Sequence, residues 1–172
     1  MADGDRNQVV LVDEKDNVVG YKEKFAAHKN PVPLHRAISV VIFDKGGKKM
    51  LLQRRVAAKP TWPLYWSNTV CTHPMAGESY EACAHRRLKE ELGFDTSLEE
   101  KFKFVYEADY DGEWGEHEYD AVFTGVFEGE VKPNPDEVAD YKWIGIGELK
   151  RDLLENSKLY TPWFRIIMEF WG

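Results

Sequence analysis

A single amphipathic helix, predicted between Ser79 and Gly93, is the feature that most constrains the fold of this chain. Ser79 is a suitable N-cap, Glu81 favours the first turn, and Gly93 can end the helix in the left-handed conformation. Three core-type residues recur along it at i, i+4 spacing: Ala84, Leu88 and Leu92. The helix must therefore pack this face against another layer of the protein.

Short apolar segments on both sides of the helix predict the strands of that second layer. The predicted strands are residues 9–12, 18–21, 37–43, 49–53, 102–108, 117–127 and 138–143, and the predicted later helices are residues 146–154 and 162–170. The first two strands flank a polar turn and are expected to form a hairpin. We therefore expect an α/β sandwich with a mixed central sheet, an N-terminal hairpin and a helical C-terminus.

The chain is expected to form one domain. Its 172 residues suffice for a sizeable core. We place the domain at residues 9–172, after a polar segment of residues 1–8 that is expected to be disordered. The net charge of −7 argues against general binding of nucleic acid. The longest apolar run, residues 37–43, is far shorter than the ~20 residues that span a bilayer.

Cysteine usage indicates a reducing environment. Only Cys71 and Cys83 occur, and no signal peptide is recognisable, so a cytoplasmic protein without a structural disulfide is expected. A monomer is expected, and an oligomer is left open.

Histidine and glutamate residues from separate segments form a candidate metal site. These candidate ligands are His28, His35, His73, Glu116 and Glu118. Such a set of nitrogen and oxygen donors suits Zn²⁺, Mn²⁺ or Mg²⁺. Alternatively, His28 and His35 are ordinary surface residues, and the two glutamates, which share one strand face, form a solvated strand end. His117, on the opposite face, is expected to be exposed or structural.

Other polar residues have two interpretations that the sequence leaves open. Glu91 lies beside the apolar stripe of the helix, either as a metal ligand or in an i, i+4 salt bridge with Arg87, worth a few tenths of a kcal/mol. Cys71 is either a chemically active thiol or a small buried apolar residue. Four basic residues form a candidate anion pocket, although single charges are usually solvated: Lys24, Arg55, Lys59 and Arg87.

The central segment resembles a Nudix box, whose usual pattern is Gx5Ex7REUxEExGU. The chain reads Thr72-x5-Glu78-x7-Arg86-Arg87-Leu88-x-Glu90-Glu91-x-Gly93-Phe94. Thr72 stands where glycine is usual, and Arg87 stands where the first glutamate of REU is usual. Both departures argue against ordinary pyrophosphate hydrolysis, because a metal-binding carboxylate has become a cation.

Five further blocks between Val9 and Trp171 resemble type 1 isopentenyl diphosphate isomerases, a branch of the Nudix superfamily. These blocks are Leu34-His35-Arg36-Ala37, Asn68-Thr69-Val70-Cys71-Thr72-His73-Pro74, Trp114-Gly115-Glu116-His117-Glu118, Asn134-Pro135-Asp136-Glu137 and Thr161-Pro162-Trp163-Phe164. The resemblance implies a Nudix-type fold and an isomerase that interconverts isopentenyl diphosphate and dimethylallyl diphosphate.

The resemblance also implies a role for each candidate residue. Cys71 and Glu118 match the two proton-transfer groups, and Tyr106 matches a tyrosine that works with the glutamate. The five histidine and glutamate candidates match the ligands of a divalent metal, while Glu91 and the main-chain carbonyl of Cys71 match a Mg²⁺ site that accompanies the diphosphate. The four basic residues match diphosphate-binding groups: Lys24, Arg55, Lys59 and Arg87.

Aromatic residues have a physical role in such a reaction. Protonation of an unactivated alkene creates a carbocation, which ring quadrupoles stabilise in a dry pocket by ~2 kcal/mol or more per contact. Trp163 matches the family's aromatic residue over the hydrocarbon, and Trp66 is a second candidate; burial in the core is the alternative for each.

Two other functions fit the sequence less well. A Nudix hydrolase of a nucleoside diphosphate derivative needs a carboxylate where Arg87 stands and gives Cys71 no role. A binding module that kept only the fold is expected to lose one proton-transfer partner, yet both Cys71 and Glu118 are present.

Overall fold

The computed structural model describes residues 6–171 of the chain, and nine strands in that range join one sheet. The strands are β1 (Gln8–Val12), β2 (Val18–Glu23), β3 (His35–Phe43), β4 (Lys49–Arg55), β5 (Trp66–Ser67), β6 (Val70–Thr72), β7 (Leu98–Asp109), β8 (Gly115–Val126) and β9 (Val138–Gly145). The helices are α1 (Lys24–Ala27), α2 (Tyr80–Leu92), α3 (Ile146–Glu155) and α4 (Pro162–Glu169), with a 3-10 turn at Ser157–Leu159. The predicted α/β architecture is confirmed.

The N-terminal hairpin forms as predicted, with β1 and β2 paired antiparallel. The prediction of disorder for residues 1–8 falls partly on residues 1–5, which lie outside the described range. Within that range, Gln8 pairs with Glu23 in the hairpin, and the Asn7 carbonyl accepts a hydrogen bond of 2.8 Å from the Lys24 amide.

Strand β3 organises the sheet because it pairs with four other strands. β8 runs parallel to it over its whole length, with His35 opposite Glu118. On the other edge, β3 meets β1, β6 and β4 in turn, all antiparallel, and Ser39 lies opposite Cys71. The mixed sheet therefore carries His35 of the predicted metal site, the predicted active thiol and the predicted catalytic glutamate on neighbouring strands.

Helix α2 covers one face of the sheet, and its ends follow the predicted capping. The Ser79 hydroxyl accepts a hydrogen bond of 3.1 Å from the Ala82 amide, and Gly93 has φ = 72°. Its apolar face packs on alternate β3 residues, including Ile38 and Val40. Burial of this face, rather than helix propensity, holds the helix in place.

The C-terminal helices help to cover the opposite face. Leu149 of α3 and Phe164 of α4 are fully buried against a second core cluster that contains Val41 and Met50. Successive β3 residues thus contribute to different layers, as the alternation of a strand requires. None of the helices between residues 6 and 171 has both the length and the apolar character needed to cross a membrane.

Candidate active site

The three predicted histidine ligands converge although they come from different elements. His28 follows α1, His35 begins β3, and His73 follows β6. Their ring centroids lie 4.9–5.0 Å from one another. Ligand atoms of these histidines and of Glu116 all lie within 4.8 Å of one another. Glu118 joins the group, since its Oε2 lies 3.3 Å from Nε2 of His73.

Hydrogen bonds orient two of the imidazoles. Nδ1 of His28 donates to the Lys24 carbonyl at 2.6 Å, and Nδ1 of His35 donates to the Pro33 carbonyl at 2.9 Å. Because a carbonyl only accepts, each Nδ1 carries the proton and each Nε2 can bind a metal.

Several polar atoms of this cluster are buried without a hydrogen-bond partner among the described residues. They include Nε2 of His35, both ring nitrogens of His73 and Oε2 of Glu116. Buried donors and acceptors are normally paired, so this group of orphaned atoms calls for a ligand. The donor set fits a divalent metal ion.

Electrostatics favour the neutral form, which metal binding needs, in two of the three imidazoles. Burial and the neighbouring imidazoles lower the pKa of His35 well below its usual value, and burial together with His28 does the same to the pKa of His73. Burial also acts to lower the pKa of His28, but Glu116, whose Oε2 lies 3.1 Å from Nε2, outweighs it and raises that pKa.

Glu118 and Tyr106 form a buried pair across β7 and β8. The two residues lie opposite each other in the sheet register, and the Tyr106 hydroxyl donates to Oε1 of Glu118. Burial raises the pKa of Glu118, although the hydrogen bond from Tyr106 acts against this shift. Burial and the Glu118 charge raise the pKa of Tyr106 well above its usual value. Glu118 is therefore a carboxyl group of raised proton affinity with a fixed donor.

Cys71 and Glu118 line the same cavity, which has a volume of about 400 Å³. Burial raises the pKa of the Cys71 thiol to about 12, while Arg55, whose Nη1 lies 3.9 Å from Sγ, acts to lower it. The sulfur therefore holds its proton at neutral pH. Among the described residues both cysteines are free thiols.

Three of the four predicted anion-binding residues line this cavity: Lys24, Arg55 and Lys59. Burial, followed by the charges of Lys59 and Arg87, lowers the pKa of Lys24. Such crowding of positive charge is costly unless an anion neutralises it. The cavity therefore suits an anionic ligand.

Trp163 also lines the cavity, whereas Trp66 does not. Trp163 is 3% exposed, and the Arg55 guanidinium lies 5.2 Å from its ring centroid. Trp66 packs against the second core cluster, which also contains Trp163, and Nζ of Lys142 lies 4.3 Å from its ring centroid.

Arg87 and Glu91 lie beside the cavity rather than in its lining. Nη2 of Arg87 lies 2.5 Å from Oε1 of Glu91, so the i, i+4 salt bridge forms, and Arg87 also pairs with Glu90 and Glu137. The other Glu91 oxygen accepts a hydrogen bond of 2.7 Å from Gln53. The metal-binding role of Glu91 stays a prediction.

Several cavity residues were missed by the sequence reasoning. Phe25 and Trp114 pack edge to face, with ring centroids 6.2 Å apart, and both contribute to the lining. Thr61 lines it too, and its hydroxyl lies 3.4 Å from Oε1 of Glu116. Their proximity in sequence to Lys24, Lys59 and Glu116 was the available signal.

Comparison with known proteins agrees with this site. The NUDIX domain family matches residues 33–164. The isopentenyl-diphosphate Delta-isomerase of Nocardia farcinica is 44% identical, over 94% of this chain and 92% of that protein. Isopentenyl-diphosphate Delta-isomerase 2 of Aromatoleum aromaticum is 42% identical, over 95% of this chain and 85% of that protein.

Solved structures support the fold. A Deinococcus radiodurans protein superposes with a TM-score of 0.71 at 18% identity, covering 87% of this chain and 90% of its own. A MutT protein from Methanosarcina mazei gives a TM-score of 0.65 at 20% identity, covering 80% of this chain and 91% of its own. The chain belongs to the NUDIX domain family and, within it, to the type 1 isopentenyl-diphosphate Delta-isomerases.

Proposed function

We propose that this chain interconverts isopentenyl diphosphate and dimethylallyl diphosphate by moving a proton across the allylic system. The observation that carries the proposal is the shared cavity, in which Cys71 and Glu118 accompany three of the predicted anion-binding residues and Trp163. Two proton-transfer groups, an anion site and a buried aromatic ring are the parts that this reaction needs. The names of the curated relatives support the same activity.

The two proton-transfer groups act in sequence. One of Cys71 and Glu118 gives a proton to the terminal carbon of the double bond, which leaves a tertiary carbocation. The other removes a proton from the methylene carbon that lies between the cationic carbon and the carbon that bears the diphosphate. The new double bond forms between that methylene carbon and the cationic carbon. One proton enters and one leaves, so the product is an isomer. The hydrogen bond from Tyr106 keeps the Glu118 carboxyl in place during both steps.

Five side chains would hold a divalent metal in this proposal: His28, His35, His73, Glu116 and Glu118. When bound, the metal supplies positive charge that tunes the acidity of Glu118. Mg²⁺, Mn²⁺ and Zn²⁺ all suit this donor set. Glu91 and the Cys71 carbonyl would hold a Mg²⁺ ion that accompanies the diphosphate.

The substrate's two ends have separate partners. We assign the diphosphate to the four basic residues. Arg87 does not line the cavity, but its charge lowers the pKa of Lys24, which does. Arg87 is held by three carboxylates, so its part is to balance charge around the Mg²⁺ site as much as to contact phosphate. Trp163 faces the hydrocarbon. Trp66 does not line the cavity, which favours a structural role for that ring.

The setting that we propose is a single cytoplasmic domain of residues 9–172, active as a monomer on a small-molecule diphosphate, without nucleic acid or membrane. The need for a reduced thiol at Cys71 supports a reducing compartment. The net charge of −7 supports the exclusion of nucleic acid.

Product analysis tests the proposal against the hydrolase alternative. Purified protein with divalent metal is incubated with isopentenyl diphosphate, and products are followed by ¹H and ³¹P NMR. We expect dimethylallyl diphosphate with its diphosphate intact. Release of orthophosphate, or cleavage of a nucleoside diphosphate derivative without isomerisation, would favour the hydrolase.

A further inference from the structure

We propose that Ser67 is a positioning residue that orients the Trp163 ring beside Cys71. This inference rests on the proposed function, in which Trp163 faces the carbocation. Ser67 belongs to the short strand β5 and is fully buried. Nothing in its residue type marks it, since a serine next to an asparagine usually indicates a turn.

The Ser67 hydroxyl is the centre of a buried network. It donates a hydrogen bond of 2.9 Å to Oδ1 of Asn68 and accepts one of 3.0 Å from Nε1 of Trp163. The Thr161 hydroxyl lies 3.0 Å away. Asn68 and Thr161 are fully buried, and Trp163 is 3% exposed. Water therefore does not compete for these bonds.

The direction of each bond follows from Asn68. Its Nδ2 donates to the carbonyls of Val40 and Val70, at 3.2 and 2.7 Å. The oxygen end of the amide must then face Ser67, and it can only accept. The single Ser67 proton is thus committed to Asn68, and both lone pairs receive protons, one from Trp163 and one from Thr161.

This arrangement has a consequence for Cys71. Its Sγ lies 3.9 Å from the Ser67 oxygen, within reach of a weak hydrogen bond that involves sulfur. The same hydroxyl that fixes Trp163 is adjacent to the thiol, so ring and sulfur take their positions from one short segment of chain, residues 66–72.

Apolar contacts alone do not fix the ring in its plane. Trp62 meets Trp163 edge to face, with centroids 5.5 Å apart and an interplanar angle of 90°. Such packing sets the tilt of the ring, whereas the bond from the indole N–H decides which ring edge points into the core. A buried N–H without an acceptor is destabilising, so its loss would let the ring rotate or loosen.

A double-mutant cycle on the full-length, metal-loaded protein tests this. We expect Ser67→Ala to lower kcat about tenfold while KM for isopentenyl diphosphate changes less than about twofold. In a Trp163→Phe background, which has no indole N–H, the same substitution should change kcat less than about twofold. Ser67→Thr, which keeps the hydroxyl, should restore most of kcat.

Two controls separate positioning from a general loss of structure. Thr161→Val removes another buried hydroxyl of the same network but leaves the bond from Trp163 to Ser67, so its kcat should stay within about twofold of the wild type. In ¹H–¹⁵N spectra of the metal-free protein, the Trp163 indole resonance, assigned through Trp163→Phe, should shift upfield in Ser67→Ala and much less in Thr161→Val.

The outcomes are distinguishable from failure of the proposed function. An inactive wild type would overturn the function itself. If the wild type is active, three results would each contradict the positioning role. Ser67→Ala could retain full kcat, it could lower kcat by the same factor in the Trp163→Phe background as in the wild type, or it could leave the indole resonance unmoved.

Discussion

The Tyr106 hydroxyl donates a hydrogen bond to the Glu118 carboxyl, and each residue is less than 10% exposed. The bond spans two antiparallel strands whose register places the residues directly opposite each other. Glu118 also lies 3.3 Å from a ring nitrogen of His73. One carboxyl group is thus shared between a fixed phenol and the candidate metal centre, which suits a group that must bind and release a proton in a defined place.

Removal of this phenol should slow the reaction without preventing binding. A hydrogen bond to a charged group contributes about 1.5–3 kcal/mol, so Tyr106→Phe should reduce kcat roughly tenfold to hundredfold with KM little changed. Steady-state kinetics measure both constants. Tyr141→Phe, on strand β9, is the matched control and should be silent; equal losses in both variants would contradict the role of Tyr106.

The metal site should depend on His73 and not on His117. His117 lies on the other face of β8, where Nδ1 is 3.1 Å from the Val32 carbonyl. We expect His73→Gln to weaken binding of divalent metal at least about tenfold, and His117→Gln to leave it near wild type. Titration calorimetry and elemental analysis check this.

Chelation provides a complementary test of the same site. A chelator should abolish turnover of the wild type, and added divalent metal should restore it. Turnover that persists in protein shown by elemental analysis to be metal-free would contradict the five-ligand assignment.

Cys71 should react slowly with alkylating reagents. Its pKa is raised from an ordinary value of 9.0 to about 12 by burial, so at pH 8 about a thousandfold less thiolate is present than in an ordinary thiol. Labelling by iodoacetamide, followed by mass spectrometry, should accelerate as pH rises from 7 to 10.

The second cysteine and the unfolded chain serve as controls for this labelling. Burial also raises the pKa of Cys83 to about 12, and unfolded protein should label quickly at both positions. Fast labelling of native Cys71 at pH 7 would show a thiolate and would contradict a buried thiol that holds its proton at neutral pH.

The end of α2 should be sensitive to substitution of its glycine. Gly93 has φ = 72°, and a Cβ there would lie 2.8 Å from the Lys132 carbonyl oxygen, whereas Gly77 has φ = 75° and open space around it. Gly77→Ala should cost about 1 kcal/mol from backbone strain, and Gly93→Ala at least about 1 kcal/mol more. Urea unfolding measures the difference; equal costs would exclude the clash.

Local patterns in the sequence were sufficient for most of the fold. The cap residues Ser79 and Gly93 predicted α2 to within one residue, because capping depends on nearby atoms. The strands β5 and β6 were not predicted, since elements of two and three residues have no periodicity to read. The parallel pairing of β3 with β8 joins residues about 80 positions apart, which no local pattern encodes.

In the candidate site, too, some features could be predicted from the sequence and others depend on tertiary packing. Residue chemistry suggested the histidine and glutamate cluster, and the resemblance supplied the roles of Cys71 and Tyr106. The role of the Ser67 hydroxyl as a buried hydrogen-bond acceptor could not be predicted from the sequence. It depends on the three partners that tertiary packing brings to this hydroxyl. Likewise, only packing shows that Trp66 lies against the second core cluster and outside the cavity lining.

Deuterium incorporation is the most direct test of the central claim that Cys71 and Glu118 transpose a proton. Isopentenyl diphosphate is incubated with the protein and divalent metal in D₂O, and the product is analysed by NMR and mass spectrometry. We expect dimethylallyl diphosphate that carries deuterium in a methyl group and has lost no phosphate. Cys71→Ala and Glu118→Gln should each reduce this turnover at least about a hundredfold while the fold persists. Wild-type product without deuterium, or a Cys71→Ala variant at near-normal rate, would contradict it.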